Sequence, residues 1–437
     1  MPTGVRSKMK TGGRTPQKKA PRAAAPSRPA PPAPPKLDVP GYRHSGGKHH
    51  ETTHLRNILD NLGLKASHTG APYSEEMLLG LGGGIGCGYF LYETSGSTFL
   101  SVGARHLWQS TKADFIQGIC GRLGCRVTTK EASGQRAAEE NLHEALASGR
   151  PAIVWLGQAG LPWHGLPIEW MQLHVYCVVV YGFEEKTERY LVADRSRKPF
   201  TIGAKELAAA RPAIISLRSR TLFVDPPNRP PDLAKAIKDG LQACVFSMMK
   251  PGISNLGLPS LQKWAELLTN AKDVKGWPRA LPPGAALFDA LMSCYGGLET
   301  QGTGGGGFRT MYAAFLDEAR GVLPVPALGD VAARFRDSAA AWTGLADASL
   351  PDDVPLLGEA RGLMRLKARL FDEGGDASVP RIVEVEEKLA ALRDRAASAF
   401  PLNAPQALDL LAGMRKKVER IHEIESGAIE ALRLAIA

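Results

Sequence analysis

The sequence predicts a mixed α+β domain over about 43–225 followed by an all-α domain over about 232–437, behind a disordered basic tail over 1–42. Three observations predict it. Short runs rich in Val, Ile, Tyr and Phe, bounded by turn residues, fill the first half, as half-buried strands require. After a proline-rich joint at 226–231 the texture changes to long Ala- and Leu-rich stretches with helical spacing. Residues 1–40 hold ten prolines and hardly any large apolar side chain, so they cannot bury enough surface to offset the entropy of ordering. The 437 residues exceed the size of one ordinary core and accommodate both parts.

In chain order, Leu55, Ile58, Leu59 and Leu62 recur at helical spacing, giving a helix over about 49–62 that Gly63 ends. A second, short helix starts at Ser74, whose hydroxyl suits an N-cap, and runs into LGLGGGIGCGYF, where six glycines exclude a regular helix. A helix over 138–148 precedes β-type runs at PAIVWLG from Pro151, HVYCVVVYGFEE from His174, RYLVADRS from Arg189 and KPFTIG from Lys198. IISLRSRTLFVDPP closes this half. Helical stretches follow from LAKAIKDGLQACVFSMM to the final DLLAGMRKKVERIHEIESGAIEALRLAIA, with no fixed repeat period.

The formal charge of +10 would suggest nucleic acid if it covered a folded face. Nine basic residues and the single acid Asp38 concentrate +8 of it in residues 1–40, leaving a nearly neutral body and no expectation of nucleic-acid binding. The tail lacks the unbroken apolar stretch of a secretory signal, and no window reaches the roughly 18 apolar residues of a membrane span. Six scattered cysteines then read as reduced thiols of a cytoplasmic protein. Cys120 and Cys125 have no second pair and no nearby histidine to complete a zinc site.

Nine of the ten histidines fall between residues 44 and 174, which points to a site in the first half. His50-Glu51-Thr52-Thr53-His54 spells H-E-x-x-H, a zinc-hydrolase pattern, although it lies at the first turn of its helix, where plain helix-start or core residues explain it better. A second reading joins distant segments. His174 opens one strand and Asp194 ends the next, and a hairpin turning at about 185–187 brings them side by side as a base and its orienting acid. A nucleophile would belong at the start of the helix at 49–62, where the helix dipole favours an anion.

Neither glycine cluster reads as a nucleotide loop. LGLGGGIGCG has no G-x-G-x-x-G register, while Gly302, Gly304 and Gly307 follow a helix instead of a strand, so no cofactor is expected. The amides of 305–308 with Arg309 could accept an anion such as a phosphopantetheine phosphate, or serve helix packing alone.

The succession GGKHHETTHLRNILDNLGL, YSEEMLLGLGGGIGCGYFLYE and LHVYCVVVYGFEEKTERYLVADRS resembles the N-terminal domain of butirosin biosynthesis protein H. The segment LETQGTGGGGFRTMYAAFLDEARGVL is similar to the domain of unknown function that follows it in that family. The resemblance implies a papain-like fold. It also implies an acyltransferase that moves an acyl or aminoacyl group from an acyl-carrier-protein thioester to an amine acceptor, with His174 as base and Asp194 as its orienting acid. The family commonly carries His-Cys-Glu at the helix start; here His49-His50-Glu51 stands there, so His50 occupies the thiol position beside Glu51. A thioester is already activated, and an amine could attack it directly with His174 and Asp194 assisting. The alternatives are a catalytically silent binding relative and a zinc hydrolase using His50 and His54.

Overall fold

In the computed structural model the described residues are 37–94, 97–105 and 115–437, and they belong to one compact unit. The expected tail falls outside the described residues except for 37–42, which join the fold. Phe183 N donates to Leu37 O, Val39 N donates to Tyr181 O, and Tyr42 stacks on Tyr181 at 4.5 Å. Leu37, Val39 and Tyr42 supply the apolar contacts that hold this segment to the core.

Helix α1 (His50–Asn61) buries Leu55, Ile58 and Leu59, and Gly63 closes it at φ +74°. Helix α2 (Glu75–Leu81) begins at Ser74, whose hydroxyl accepts from Met77 N. A hairpin of β1 (Gly88–Thr94) and β2 (Ser97–Gly103) leads to α3 (Phe115–Arg122), β3 (Arg126–Lys130), α4 (Gln135–Ala147) and β4 (Ala152–Gly157). Then follow β5 (Val175–Glu184), β6 (Arg189–Ala193), β7 (Phe200–Gly203), α5 (Ala204–Ala210) and β8 (Thr221–Asp225).

Six strands form one antiparallel sheet in the order β3-β8-β4-β5-β6-β7. The hairpin β5–β6 turns where the sequence places it, but its register corrects one expectation. Val179 pairs with Ala193, so Asp194 leaves the sheet level with Val178, four residues from His174 and roughly 13 Å along the strand.

The helical part comprises α6 (Leu233–Met249), α7 (Gly257–Thr269), α8 (Trp277–Ala280), α9 (Ala285–Tyr295), α10 (Arg309–Arg320), α11 (Leu328–Ser349), α12 (Pro355–Glu373), α13 (Val379–Ser398) and α14 (Ala404–Ala435). Trp264, Trp342, Phe335 and Ile421 are fully buried among them, and the fold is a mixed α+β one. No helix of the described residues is long and apolar enough to cross a membrane.

The two glycine clusters meet at Arg309. Gly84 has φ +67°, and a Cβ there would lie 2.3 Å from Tyr312 of α10. Gly307 has φ +56°, and a Cβ there would meet Ala104 at 2.9 Å. These close approaches let the fully buried Arg309 guanidinium reach three backbone carbonyls, of Ala104, Gly307 and Gly86, and both carboxylate oxygens of Glu425 on α14. Thr303 Oγ1 and Glu299 Oε1 accept from the amides of Gly305 and Gly306. The Arg309 side chain and the amides of Gly305 and Gly306 are therefore engaged inside the protein, as helix packing requires.

Candidate functional site

The start of α1 is fixed by a carboxylate from the next helix. Glu75 is buried and accepts from Lys48 N, His49 N, Thr52 Oγ1 and Thr53 Oγ1 at 2.7–3.1 Å, with Arg56 3.5 Å away. It satisfies donors that the helix end leaves open. A Cβ at Gly47 would strike Thr53 Oγ1 and Glu75, so the glycine before the helix is required for this closure.

This anchoring presents His49, His50 and Glu51 at the first turn. Glu51 is paired with Arg105, and His49 Nε2 lies 3.5 Å from Glu51. Burial alone would raise the Glu51 carboxyl, but Arg105 and the His49 hydrogen bond outweigh it and hold the group well below the usual carboxylate range. Arg105 lies 3.9 Å above the Phe115 ring, and Phe308, at φ +71°, packs edge-on to His49 at 5.1 Å. The glycine-rich loop before α10 thus delivers an aromatic wall to the helix start.

His50 stacks on Tyr176 at 4.5 Å. Tyr176, not His174, is the β5 residue that meets Asp194: its hydroxyl donates to Asp194 Oδ1 at 2.9 Å. Asp194 is completely buried and also accepts from Trp163 Nε1 and from Arg195 N at 2.9 and 2.7 Å. Two imidazoles flank it, His164 Nε2 at 3.4 Å from Oδ2 and His54 Nε2 at 3.7 Å from Oδ1. Gln158 Nε2 lies 3.2 Å from His164 Nδ1, and Cys177 Sγ lies 3.7 Å from His54 Nδ1. Those contacts suit tautomers that place both Nε2–H groups towards the carboxylate.

The electrostatics follow from burial. Burial and the adjacent His49 ring push the His50 imidazole well below its ordinary value, so it is neutral near pH 7. Burial, then the negative charge of Asp194, lifts the Tyr176 phenol well above its own, so it cannot serve as a base. Burial would also raise the Asp194 carboxyl, but the flanking imidazoles of His164 and His54 reverse this and hold it well below the ordinary carboxylate range.

The expected pairing of His174 with Asp194 does not form. His174 is exposed just before β5, with its ring against Trp170 at 6.4 Å. The reason is register: Asp194 stands level with Val178, and of the residues sharing that face it is Tyr176, two residues nearer than His174, that reaches it. Sequence reasoning missed Tyr176, His164 and Cys177 as neighbours of this centre. Tyr176 could have been found by counting the register back from the turn; His164, in a short 3₁₀ turn, carries no local signal.

The H-E-x-x-H spelling does not converge on a metal either. The rings of His50 and His54 are 6.2 Å apart, with His54 turned to Asp194 and Cys177 and Glu51 turned to Arg105. Donor atoms of His49, His50 and Glu51 do lie within 4.8 Å of one another, but Arg105 already occupies the carboxylate that Glu51 would offer a metal.

A model of the N-terminal domain of butirosin biosynthesis protein H matches residues 49–195, and a model of a domain of unknown function, DUF4872, matches residues 205–352. No curated protein matches the chain. The first match spans α1 through Asp194, and the second contributes β8, which lies between β3 and β4, so the two matched regions share one sheet. With both models in succession, the chain belongs to the butirosin biosynthesis protein H family.

Proposed function

We propose that this chain is a catalytically silent relative that binds an acyl-type ligand at the start of α1 without turning it over. One observation carries the reading: the partner of Asp194 facing the helix start is the phenol of Tyr176, and the residue stacked on it is His50. Thioester aminolysis assisted by a base needs a group of moderate pKa beside the reacting atoms. Here the phenol is too weak an acid to be ionised, and Asp194 already accepts from Trp163, Tyr176 and Arg195. The placement of a helix start against an antiparallel hairpin supports a papain-like core. A carrier-borne thioester and a small amine are the partners this ancestry suggests, and six free thiols suit a cytoplasmic protein.

The test uses the full chain with acyl-pantetheine thioesters and a panel of amines. The expected result is saturable binding by calorimetry with neither amide product nor acyl-protein adduct. In the double substitution His50→Cys, Tyr176→His, the introduced thiol should alkylate faster than the native cysteines and acquire an acyl adduct. Amide formation by the unmodified protein, lost in His50→Ala, would overturn the reading.

Acyl transfer is the second reading, favoured by one arrangement. Cys177, His54 and Asp194 form a thiol–imidazole–carboxylate series with successive separations of 3.7 and 3.7 Å, although all three are buried. An adduct mapped to Cys177 and abolished by Cys177→Ser would establish it in place of the first.

A further inference from the structure

Away from this site, two thiols are brought together by the way α3 ends. Gly124 has φ +69°, Gly124 N donates to Gly121 O at 3.2 Å, and Cys125 N donates to Cys120 O at 2.8 Å. This pair of closing bonds is the Schellman arrangement, which sets the side chain two residues past the helix end against the one in its last turn. Those side chains are Cys120 and Cys125, which the turn sets against each other. Cys120 is fully buried and Cys125 is 8% exposed.

We propose that Cys120 and Cys125 are a modification site: a dithiol that closes reversibly to an intramolecular disulfide by exchange with a small oxidised disulfide such as oxidised glutathione. The Cys125 thiolate attacks one sulfur of the small disulfide and displaces its partner as a thiolate. The Cys120 sulfur then attacks the Cys125 sulfur, forming the internal bond and releasing the second small thiol. Two protein thiols lose two electrons, the small disulfide gains them, and the two protons pass to the leaving thiolates. Cys125 is the attacking group because it is the more exposed of the two and the adjacent Cys120 draws its thiol below the ordinary value against the opposing effect of burial. The contrast with other cysteines is physical: burial pushes the Cys87 and Cys244 thiols up to about 11 and raises Cys294 as well. The bridge would tie the end of α3 to the start of β3, and the other end of α3 carries Phe115, which lies under Arg105 and edge-on to His49 at 5.9 Å.

The experiment incubates the reduced, folded full chain with oxidised glutathione, quenches it with acid, and maps thiols by mass spectrometry. The expected result is loss of two of the six thiols, with the peptides bearing Cys120 and Cys125 linked and restored by dithiothreitol. In Cys120→Ser the expected product is a persistent glutathione adduct on Cys125. No thiol lost, an earlier reaction at another cysteine, or an internal disulfide still formed in Cys120→Ser would each overturn the proposal; the first two are read on the unmodified protein and need no variant to fold.

Discussion

Two buried carboxylates, Asp194 and Glu425, are completely shielded from solvent yet solve the cost of burial in opposite ways. Glu425 is neutralised by Arg309 through two short contacts of 2.6 and 2.8 Å and also accepts from Ser338 and Trp342. Asp194 has no guanidinium or ammonium within ion-pair reach among the described residues, and only neutral donors and imidazoles surround it. The first arrangement is a structural tie, because its charges cancel and every guanidinium nitrogen is occupied. The second leaves a negative charge whose stability depends on neighbouring groups that can titrate, which is the property of a site.

The comparison can be broken most severely at Arg309. Arg309→Met leaves Glu425 buried without its cation, a loss of about 3–5 kcal/mol, and chemical denaturation should show it. If the pair were incidental, the midpoint would hardly move. Asp194→Asn should cost less, about 1–3 kcal/mol, because the amide oxygen still accepts from Trp163 or Tyr176 while its NH₂ faces donors; the same measurement compares both variants directly.

Acid separates the two centres further. The lowered imidazoles of His49, His50 and His164 bind fewer protons when folded than when unfolded, so stability is complete above about 6.5 and declines as the pH falls below it. The depressed carboxyl of Asp194 adds a second loss below about 4, where the unfolded carboxyl takes up its proton first. Denaturation midpoints between pH 5 and 7 should therefore slope upward with pH, and His164→Gln should flatten that slope; an unchanged slope would remove His164 from the account. The smallest effect belongs to His174→Ala, within about 0.5 kcal/mol, because this exposed ring touches neither Asp194 nor His50. A larger change in stability or ligand binding would restore His174 to the site.

Much of the fold was legible from local chemistry. The cap at Ser74, the glycine stop at Gly63 and the turn between β5 and β6 are properties of a few neighbouring residues, and all stand where the sequence places them. The position of Asp194 at the end of a strand was also legible. Apart from Tyr176, which the strand register could have pointed to, the identity of its partners lay beyond reach. His164 comes from a 3₁₀ turn thirty residues earlier, and Trp163, Tyr176 and His54 arrive from three separate segments.

The sequence by itself determined the family and the change from a strand-bearing first half to a helical second half, because each is written in contiguous residues. Only the tertiary structure decided that Tyr176 stands where His174 was expected and that Arg309 is an internal tie instead of an anion receptor. The physical reason is that a strand's register decides which residues meet across a sheet, and the burial of a charge depends on chain segments brought together from far apart.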